Sequence, residues 1–157
     1  MKEVYIETIL LVERLHRRFL DVIKTELDRL KIDDINNVQT LILYNISNEQ
    51  LTVGELTNRG YYLGSNVSYN VKKLVENDYL LQEKAPHDKR STRIRLSEKG
   101  LSLCKVVDAL YQRHIDNLKS AEPGMSELSA TNATLHKLER FWTDYINQVY
   151  KMGPSGF

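Results

Sequence analysis

The 157-residue chain is poor in several residue types, and each shortage excludes a class of protein. Its single cysteine cannot form an internal disulfide and leaves no thiol-rich zinc site, which favours a reducing compartment and predicts a cytoplasmic protein. Three prolines and seven glycines leave little sequence for long loops. The longest apolar run near the N-terminus covers residues 9–12, whereas a membrane span needs roughly 20 residues. A net charge of +1 also argues against a uniformly basic nucleic-acid coat.

Apolar periodicity predicts long helices toward both ends of the chain. Over residues 2–30, apolar side chains recur at steps of three and four, the spacing of an amphipathic helix. A similar stripe covers residues 126–150 and includes Leu138 and Trp142. One small lobe could not cover two such stripes, so they predict a homodimer, because unpaired they would leave a large exposed apolar patch.

The middle of the chain predicts shorter elements, bounded by capping and turn residues. Thr52 followed by Glu55 is a capping-box pattern that starts a short helix. Ser97 starts a longer helix, which Glu122, Pro123 and Gly124 end. The remaining predictions are a helix over residues 38–46, a helix opened by Ser65, strands over residues 79–83 and 93–96, and a polar turn over residues 84–92.

The order of these elements predicts a winged helix, that is, a helix-turn-helix followed by a two-stranded hairpin. The fold class is therefore mainly α with a small two-stranded β-wing, and long dimerisation helices flank the lobe. The predicted divisions are a dimerisation helix over residues 1–35, the winged lobe over 36–100, dimerisation helices over 101–150, and a disordered tail over 151–157.

Basic charge is concentrated on the predicted wing. Residues 84–99 contain six Lys or Arg and two acidic residues, a local net charge of +4, whereas residues 101–150 have a net charge of −1. A phosphate backbone favours such clustering, because each neutralised phosphate releases counterions. A hairpin that is merely solvated would explain the same charges, so the wing alone does not decide between these interpretations.

The helix that Ser65 opens supplies independent support for DNA binding. Small hydrogen-bonding groups lie near its N-terminus and cations follow, opposite an apolar face. A recognition helix needs this arrangement, because its N-terminal residues reach base edges while others hold phosphates. A solvated face would explain the lysines, but it explains Tyr69 beside Asn66 less well. The predicted DNA-contacting residues are Ser65, Asn66, Ser68, Tyr69, Lys72, Lys73, Asp88, Lys89, Arg90 and Arg93.

Residues 88–97 resemble the wing signature of the MarR family of bacterial transcription regulators. That signature is Asp, any residue, Arg, five further residues, Leu, and then Thr or Ser, and residues 98–100 continue the match. Residues 51–56 resemble the first helix-turn-helix element of the family, and residues 67–69 and 74–80 resemble its recognition helix and the end of that helix. The tyrosine- and glycine-rich residues 58–64 depart from the plainer helix end of the family pattern.

The resemblance implies how such a protein binds DNA. Two recognition helices of a homodimer would occupy successive major grooves of an inverted repeat, and the wing tips would enter the minor groove. In such a wing, the residue at the position of Asp88 fixes the conformation of the arginine at the position of Arg90, and this arginine enters the minor groove. We expect a repressor that occupies a promoter, with an activator as the alternative.

The resemblance also implies a small aromatic or anionic effector bound between the dimerisation helices and the DNA-binding lobe. The candidate ligand residues are His16, Arg18, Tyr44 and Tyr61. For His16, which lies on the apolar face of the first predicted helix, a core or interface histidine is the simpler interpretation. Cys104 is either a small packing residue or, as in some members of the resembled family, an oxidant sensor.

Catalytic patterns are missing from the sequence. The four histidines share no metal-ligand spacing, and neither a phosphate-binding loop nor a nucleophile elbow is present. We therefore expect no enzyme, metal, cofactor or membrane partner. The alternative to a DNA-binding regulator is a winged-helix adaptor for proteins, which should carry an apolar patch on the helix opened by Ser65.

Overall fold

The computed structural model describes residues 1–60, 64–85, 87–120 and 122–152, and for residues 85, 88–90 and 152 it describes the backbone alone. The chain divides into two compact units, residues 1–111 and residues 112–157. The helices are α1 Lys2–Arg29, α2 Asn37–Ile46, α3 Val53–Asn58, α4 Gly64–Glu76, α5 Glu98–Leu118 and α6 Met125–Met152. The strands are β1 Leu51–Thr52, β2 Leu80–Ala85 and β3 Asp88–Leu96.

The core of the first unit contains side chains from α1, α2, α4 and the sheet. Ile42 and Leu43 of α2, Leu74 of α4 and Ile94 of β3 are fully buried. Ile23 extends the same core to the end of α1. Each such side chain stabilises the fold by about 1.5–3 kcal/mol when it leaves water. This core supports α4 and the strands from one side, and their other side chains face solvent.

The predicted two-stranded wing is confirmed as the antiparallel pair β2 and β3, and a third strand that the sequence did not predict, β1, joins their sheet. The strands are antiparallel in the order β1-β3-β2, and β1 pairs through Leu51 with Ile94 and through Thr52 with Arg93. A strand of two residues carries no alternation of apolar and polar residues, which is why the sequence pattern did not reveal it.

The wing strands are longer than predicted, and most of the predicted polar turn is strand. β3 begins at Asp88, where the sequence predicted a turn over residues 84–92. Charged and polar residues continue the antiparallel ladder because backbone groups form its hydrogen bonds. The register shifts between Lys84 and Ala85, an irregularity of the kind that a bulge produces. Pro86, which was predicted to favour the turn, lies outside the described residues.

The helix starts predicted from capping patterns are confirmed. The Thr52 hydroxyl accepts a hydrogen bond from the Glu55 backbone N–H (3.1 Å), and the Glu55 carboxylate accepts one from the Thr52 N–H (2.6 Å). The hydrogen bond from the Thr52 backbone N–H to the carboxylate, followed by a contribution from the Thr52 side chain, lowers the pKa of Glu55 below its ordinary value. The Ser97 hydroxyl accepts from the Gly100 N–H at the start of α5 (3.0 Å). Caps of this kind satisfy backbone donors that a helix leaves free.

The N-terminus of α5 packs closely against the turn that follows α4. A Cβ added at Gly100 would clash with the Tyr79 carbonyl oxygen, which explains why glycine occupies this position. The same carbonyl accepts hydrogen bonds from the Ser97 N–H (3.1 Å) and hydroxyl (3.0 Å). The first turn of α5 is thus fixed against the end of α4.

The second unit contains the end of α5 and the whole of α6. Phe141, Tyr145 and Val149 of α6 are exposed, whereas Leu138 and Trp142 are partly buried. α6 continues through Met152, so the first two residues of the predicted tail are helical, and residues 153–157 lie outside the described residues. Within residues 1–60, 64–85, 87–120 and 122–152, no helix is long and apolar enough to cross a membrane.

Candidate nucleic-acid interface

Helix α4 exposes the polar face that the sequence predicts. Val67, Val71 and Leu74 are buried on its inner side. Tyr69 is 62% exposed, which a side chain with a purely packing role would not be. The other exposed residues that were predicted to contact DNA are Ser65, Asn66, Ser68 and Lys72. The helix therefore presents hydrogen-bonding groups near its N-terminus and a cation one turn later.

Lys73 differs from its neighbours on this helix because it already has an anionic partner. Its ammonium group lies 2.8 Å from the Glu76 carboxylate, and both side chains are 42% exposed. Hydrogen bonding to Glu76 raises the pKa of Lys73, so the side chain stays charged, and that carboxylate would compete with a phosphate for it. Lys72, which is more exposed, is the better placed of the two lysines for phosphate contact.

The described part of the wing alternates between buried and exposed side chains. Along β3, Ile94 and Leu96 are buried, whereas the alternating residues Arg93 and Arg95 are exposed. Arg95 forms an ion pair with Glu83 of β2 (3.0 Å). Arg93 is thus a further candidate phosphate contact, in addition to the exposed residues of α4. The backbone of residues 88–90 belongs to β3, and their side chains lie outside the described residues.

A cavity of about 300 Å³ opens between α2, the end of β3 and the first part of α5. The Tyr44 hydroxyl donates a hydrogen bond to Asp108 at its wall (2.7 Å). That bond and partial burial raise the pKa of Tyr44 to about 12. The lining residues are Tyr44, Ser47, Asn48, Leu96, Leu101, Cys104, Lys105 and Asp108. The cavity combines apolar walls with one cation, one anion and neutral polar groups.

Only one of the four predicted ligand residues, Tyr44, lies at this cavity among the described residues. His16 and Arg18 are exposed on α1 and do not belong to the described lining, and Tyr61 lies outside the described residues. His16 is therefore not a core residue of the single chain, and the other part of that interpretation, an interface histidine, stays a prediction. Its place among the apolar residues of α1 suggested burial, but much of that apolar stripe is exposed too.

Cys104 is partly buried at the wall of the cavity, and its thiol has an unusual pKa. Burial, with a smaller effect of the Asp108 charge, raises the pKa of Cys104 to about 11. At neutral pH the group is therefore a protonated thiol, whereas reaction with oxidants requires the thiolate. This environment favours the interpretation of Cys104 as a packing residue.

We expect Cys104 to react slowly with iodoacetamide at pH 7.5, at about one hundredth of the rate in the unfolded chain. A pKa raised from 9.0 to about 11 lowers the thiolate fraction by that factor. Mass spectrometry of the native and the denatured protein measures both rates, and the native rate should rise tenfold per pH unit. Native labelling as fast as that of the denatured chain would contradict the assignment.

Comparison with known proteins places these features among regulators of transcription. Residues 35–100 match the family described as "Winged helix DNA-binding domain". The exopolysaccharide II synthesis transcriptional activator ExpG of Rhizobium meliloti is 39% identical over 138 residues, which cover 88% of this chain and 71% of the relative.

Two solved structures show the same fold. Staphylococcus aureus MarR in complex with salicylate and kanamycin superposes with a TM-score of 0.73 and 21% identity, covering 90% of this chain and 94% of that chain. Streptococcus pneumoniae FabT in complex with DNA gives a TM-score of 0.72 and 14% identity, covering 90% and 99%. Within the part of the chain that the structure describes, no cluster of His, Cys, Asp or Glu could hold a metal ion.

Proposed function

Because the chain belongs to the family of winged-helix DNA-binding transcription regulators, with the fold of the MarR proteins, we propose that it binds an inverted-repeat operator as a homodimer. It is a regulator of transcription and not an enzyme. The observation that carries the proposal is the exposed polar face of α4, where Asn66 and Tyr69 precede Lys72 opposite a buried apolar face. The basic wing lies next to it in sequence.

Exposed apolar side chains support the homodimer. On α1, Leu10 is 54% exposed and Leu15 is 62% exposed, and on α6, Phe141 and Tyr145 are exposed to a similar extent. It is unfavourable for large apolar side chains to remain in contact with water. A second copy of the chain would cover those of both helices. Residues 1–35 and 101–150 would then form the dimerisation part, and residues 36–100 the DNA-binding lobe.

Two-fold symmetry dictates the form of the DNA site. Half-sites of the inverted repeat should be about one helical turn apart, roughly 10 base pairs, so that two α4 helices enter successive major grooves on one side of the duplex. Selection from a random DNA pool should recover such a repeat, and affinity should fall steeply with salt. A selected site without symmetry, or binding that is insensitive to salt, would contradict the proposal.

Within the DNA-binding lobe, we expect α4 to read bases and the wing to supply groove and backbone contacts. Asn66→Ala should cost about 1–3 kcal/mol on the selected site and relax preference at one base position. Arg90→Ala should weaken binding to selected and scrambled duplexes alike and lower the salt slope by about one unit. Asp88→Ala should act like Arg90→Ala but more weakly, since it releases the arginine without deleting it.

Binding titrations at several salt concentrations measure these effects, with circular dichroism as the control for folding. If Arg90→Ala changes neither affinity in a folded protein, the wing is not a DNA contact. Equal losses on both duplexes for Asn66→Ala would show that this residue does not read bases.

We infer repression as the mode of regulation, through occupation of a promoter. Activation is the second candidate, because the relative from Rhizobium meliloti is named a transcriptional activator. Transcription in vitro from a promoter that contains the selected repeat, with and without the protein, distinguishes the two modes. We place the protein in the cytoplasm, where such a promoter is accessible.

An effector, if it controls this protein, would fit the cavity beside Tyr44. Its apolar walls and the Lys105 cation suit a small aromatic or anionic molecule, and a salicylate complex of Staphylococcus aureus MarR lends support. Binding would release DNA only if the ligand favours a lobe arrangement that mismatches the operator. Aromatic acids that neither raise the melting temperature nor release DNA would contradict this part of the proposal.

The adaptor alternative requires an apolar surface on α4. The side chains that this helix exposes are instead polar: hydroxyl, amide, phenol and ammonium groups, with the Glu76 carboxylate at its end. They suit a hydrated, charged partner. This surface favours nucleic acid over a protein partner.

A further inference from the structure

A short segment, residues 34–39, comprises the end of the connection after α1 and the first turn of α2, and it makes polar contacts with four separate parts of the first unit. We call it the junction. Asn37 donates to the Leu20 carbonyl of α1 (3.1 Å), and Asp34 accepts from Lys99 of α5. Gln39 donates to Asn70 in the middle of α4 (3.2 Å), and Asp34 also binds the residues that follow α4.

The outer contact of the junction is a clasp at the end of α4. The Asp34 carboxylate accepts hydrogen bonds from the Tyr79 hydroxyl (2.6 Å) and the Lys99 ammonium group (2.5 Å). Lys99 also donates to the Asn77 carbonyl (3.0 Å) and lies 4.2 Å from the centre of the Tyr79 ring. Asn77 in turn donates to the Asp34 carbonyl (2.8 Å). Four groups thus hold the C-terminal end of α4 to the N-terminus of α5.

The charge state of the clasp is stable at neutral pH. Burial opposes ionisation of Asp34, but the hydrogen bonds from Lys99 and Tyr79 and the Lys99 charge outweigh it, so the pKa of Asp34 is lowered. Its carboxylate therefore contributes stability above its ordinary pKa, and this contribution is lost as the pH falls through the lowered value. The clasp is thus closed throughout the pH range in which DNA binding is measured.

The inner contact of the junction is a pair of buried amides. Gln39 and Asn70 are 7% and 8% exposed. The Gln39 side chain also accepts from the Asn36 N–H (3.1 Å), which completes the N-terminal cap of α2. Asn70 donates onward to the Asn66 carbonyl (2.8 Å). A chain of polar contacts therefore runs from the start of α2 to the backbone of a residue on the DNA-facing side of α4.

Directional contacts of this kind fix a helix more strictly than apolar packing does. Apolar side chains tolerate small sliding, whereas a buried amide that loses its partner is strongly unfavourable. A small rotation of α4 would displace its base-reading groups, but flexible cations would still reach phosphates. The position of α4 should therefore matter more for specificity than for general affinity.

We propose that Asp34, Gln39, Tyr79 and Lys99 are positioning residues that hold α4 in register with α1 and α5 for sequence-specific DNA binding. The inference rests on the proposed function and assigns a task to residues outside its DNA-facing surface.

The test compares Lys99→Met with Lys24→Met. Both lysines have a carboxylate partner, since Lys24 lies 2.7 Å from Asp28, but the ion pair of Lys24 lies within α1 and outside the clasp. Affinities for selected and scrambled duplexes are measured at one salt concentration, together with the melting temperature. The ratio of the two affinities cancels the effect of removing a positive charge.

We expect Lys99→Met to reduce the ratio by about tenfold, the order that loss of a hydrogen bond to a charged group produces. Lys99→Arg should restore most of it, and Lys24→Met should leave it unchanged. Tyr79→Phe removes only a hydroxyl and keeps the ring, so it serves if Lys99→Met fails to fold, and it should also reduce the ratio. A residue that only stabilised the fold would lower the melting temperature without changing the ratio.

An unchanged ratio in folded Lys99→Met or Tyr79→Phe would overturn the positioning role while leaving the proposed function intact. An equal loss in Lys24→Met would also overturn it, because the effect would then come from charge alone. If the unmodified protein does not prefer the selected duplex, the proposed function itself fails, and the inference fails with it.

Discussion

The double substitution Leu15→Asp and Tyr145→Asp should convert the protein to a monomer and weaken operator binding by about 100-fold or more. Both side chains are 62% exposed in the single chain, on α1 and α6 respectively. A carboxylate enclosed in an apolar interface loses its hydration without a compensating partner, so the dimer would dissociate. Each monomer would then bind one half-site, without the gain of 10²- to 10⁴-fold that linked binding provides.

Sedimentation equilibrium at micromolar concentration and binding titrations measure the two consequences together. The control for the α6 position is Asn147→Asp, which adds the same single charge as Tyr145→Asp but on the other side of α6, because two residues turn a helix by about 200°. That variant should remain dimeric. A monomeric unmodified protein, or a dimeric double variant, would contradict the proposed interface.

The choice of these two positions corrects the sequence argument. From the sequence alone, Leu138→Asp and Trp142→Asp are the substitutions expected to break the dimer, since both residues lie in the apolar stripe of α6. Both are partly buried within the single chain, so a carboxylate there would also damage the folded monomer. Helical spacing identifies a stripe, but only the structure separates its exposed members from those already covered.

Strong periodicity and capping patterns made most of the fold predictable. The inner face of α4 was predicted because its apolar residues share one side of a helical wheel, and Val67, Val71 and Leu74 are buried as expected. The start of α3 was predicted because Thr52 and Glu55 can satisfy each other's backbone donors. Local chemistry determines features of this kind, so a single sequence is enough.

Features that depend on distant contacts were not predictable in the same way. β1 consists of two residues whose strand character comes from pairing with β3, which lies far away in sequence. The buried pair of Gln39 and Asn70 could not be predicted from the sequence, because amides are usually exposed and no local pattern identifies two of them as partners. The cavity beside Tyr44 likewise combines residues from α2, β3 and α5.

Leu74→Ala is expected to destabilise the protein by about 2–5 kcal/mol, the usual range for a buried leucine. Leu74 is 0% exposed and lies on the inner face of α4, so the substitution leaves a cavity directly beneath this helix. Denaturant unfolding measures the loss, at a fixed protein concentration because the stability of a dimer depends on concentration. Leu81→Ala is the matched control, since Leu81 lies in β2 and is 40% exposed, and it should change stability by less than about 1 kcal/mol.

The same variant separates support of the fold from orientation of α4. Leu74 makes apolar contacts without direction, so its loss lowers the folded fraction but leaves the polar contacts of Asn70 and the clasp in place. Under conditions where Leu74→Ala is folded, its ratio of affinities for selected and scrambled DNA should equal that of the unmodified protein. Lys99→Met should show the opposite pattern, with a reduced ratio and a smaller loss of stability. If Leu74→Ala reduces the ratio as strongly as Lys99→Met does, apolar packing orients α4 as well, and the junction has no special part in specificity.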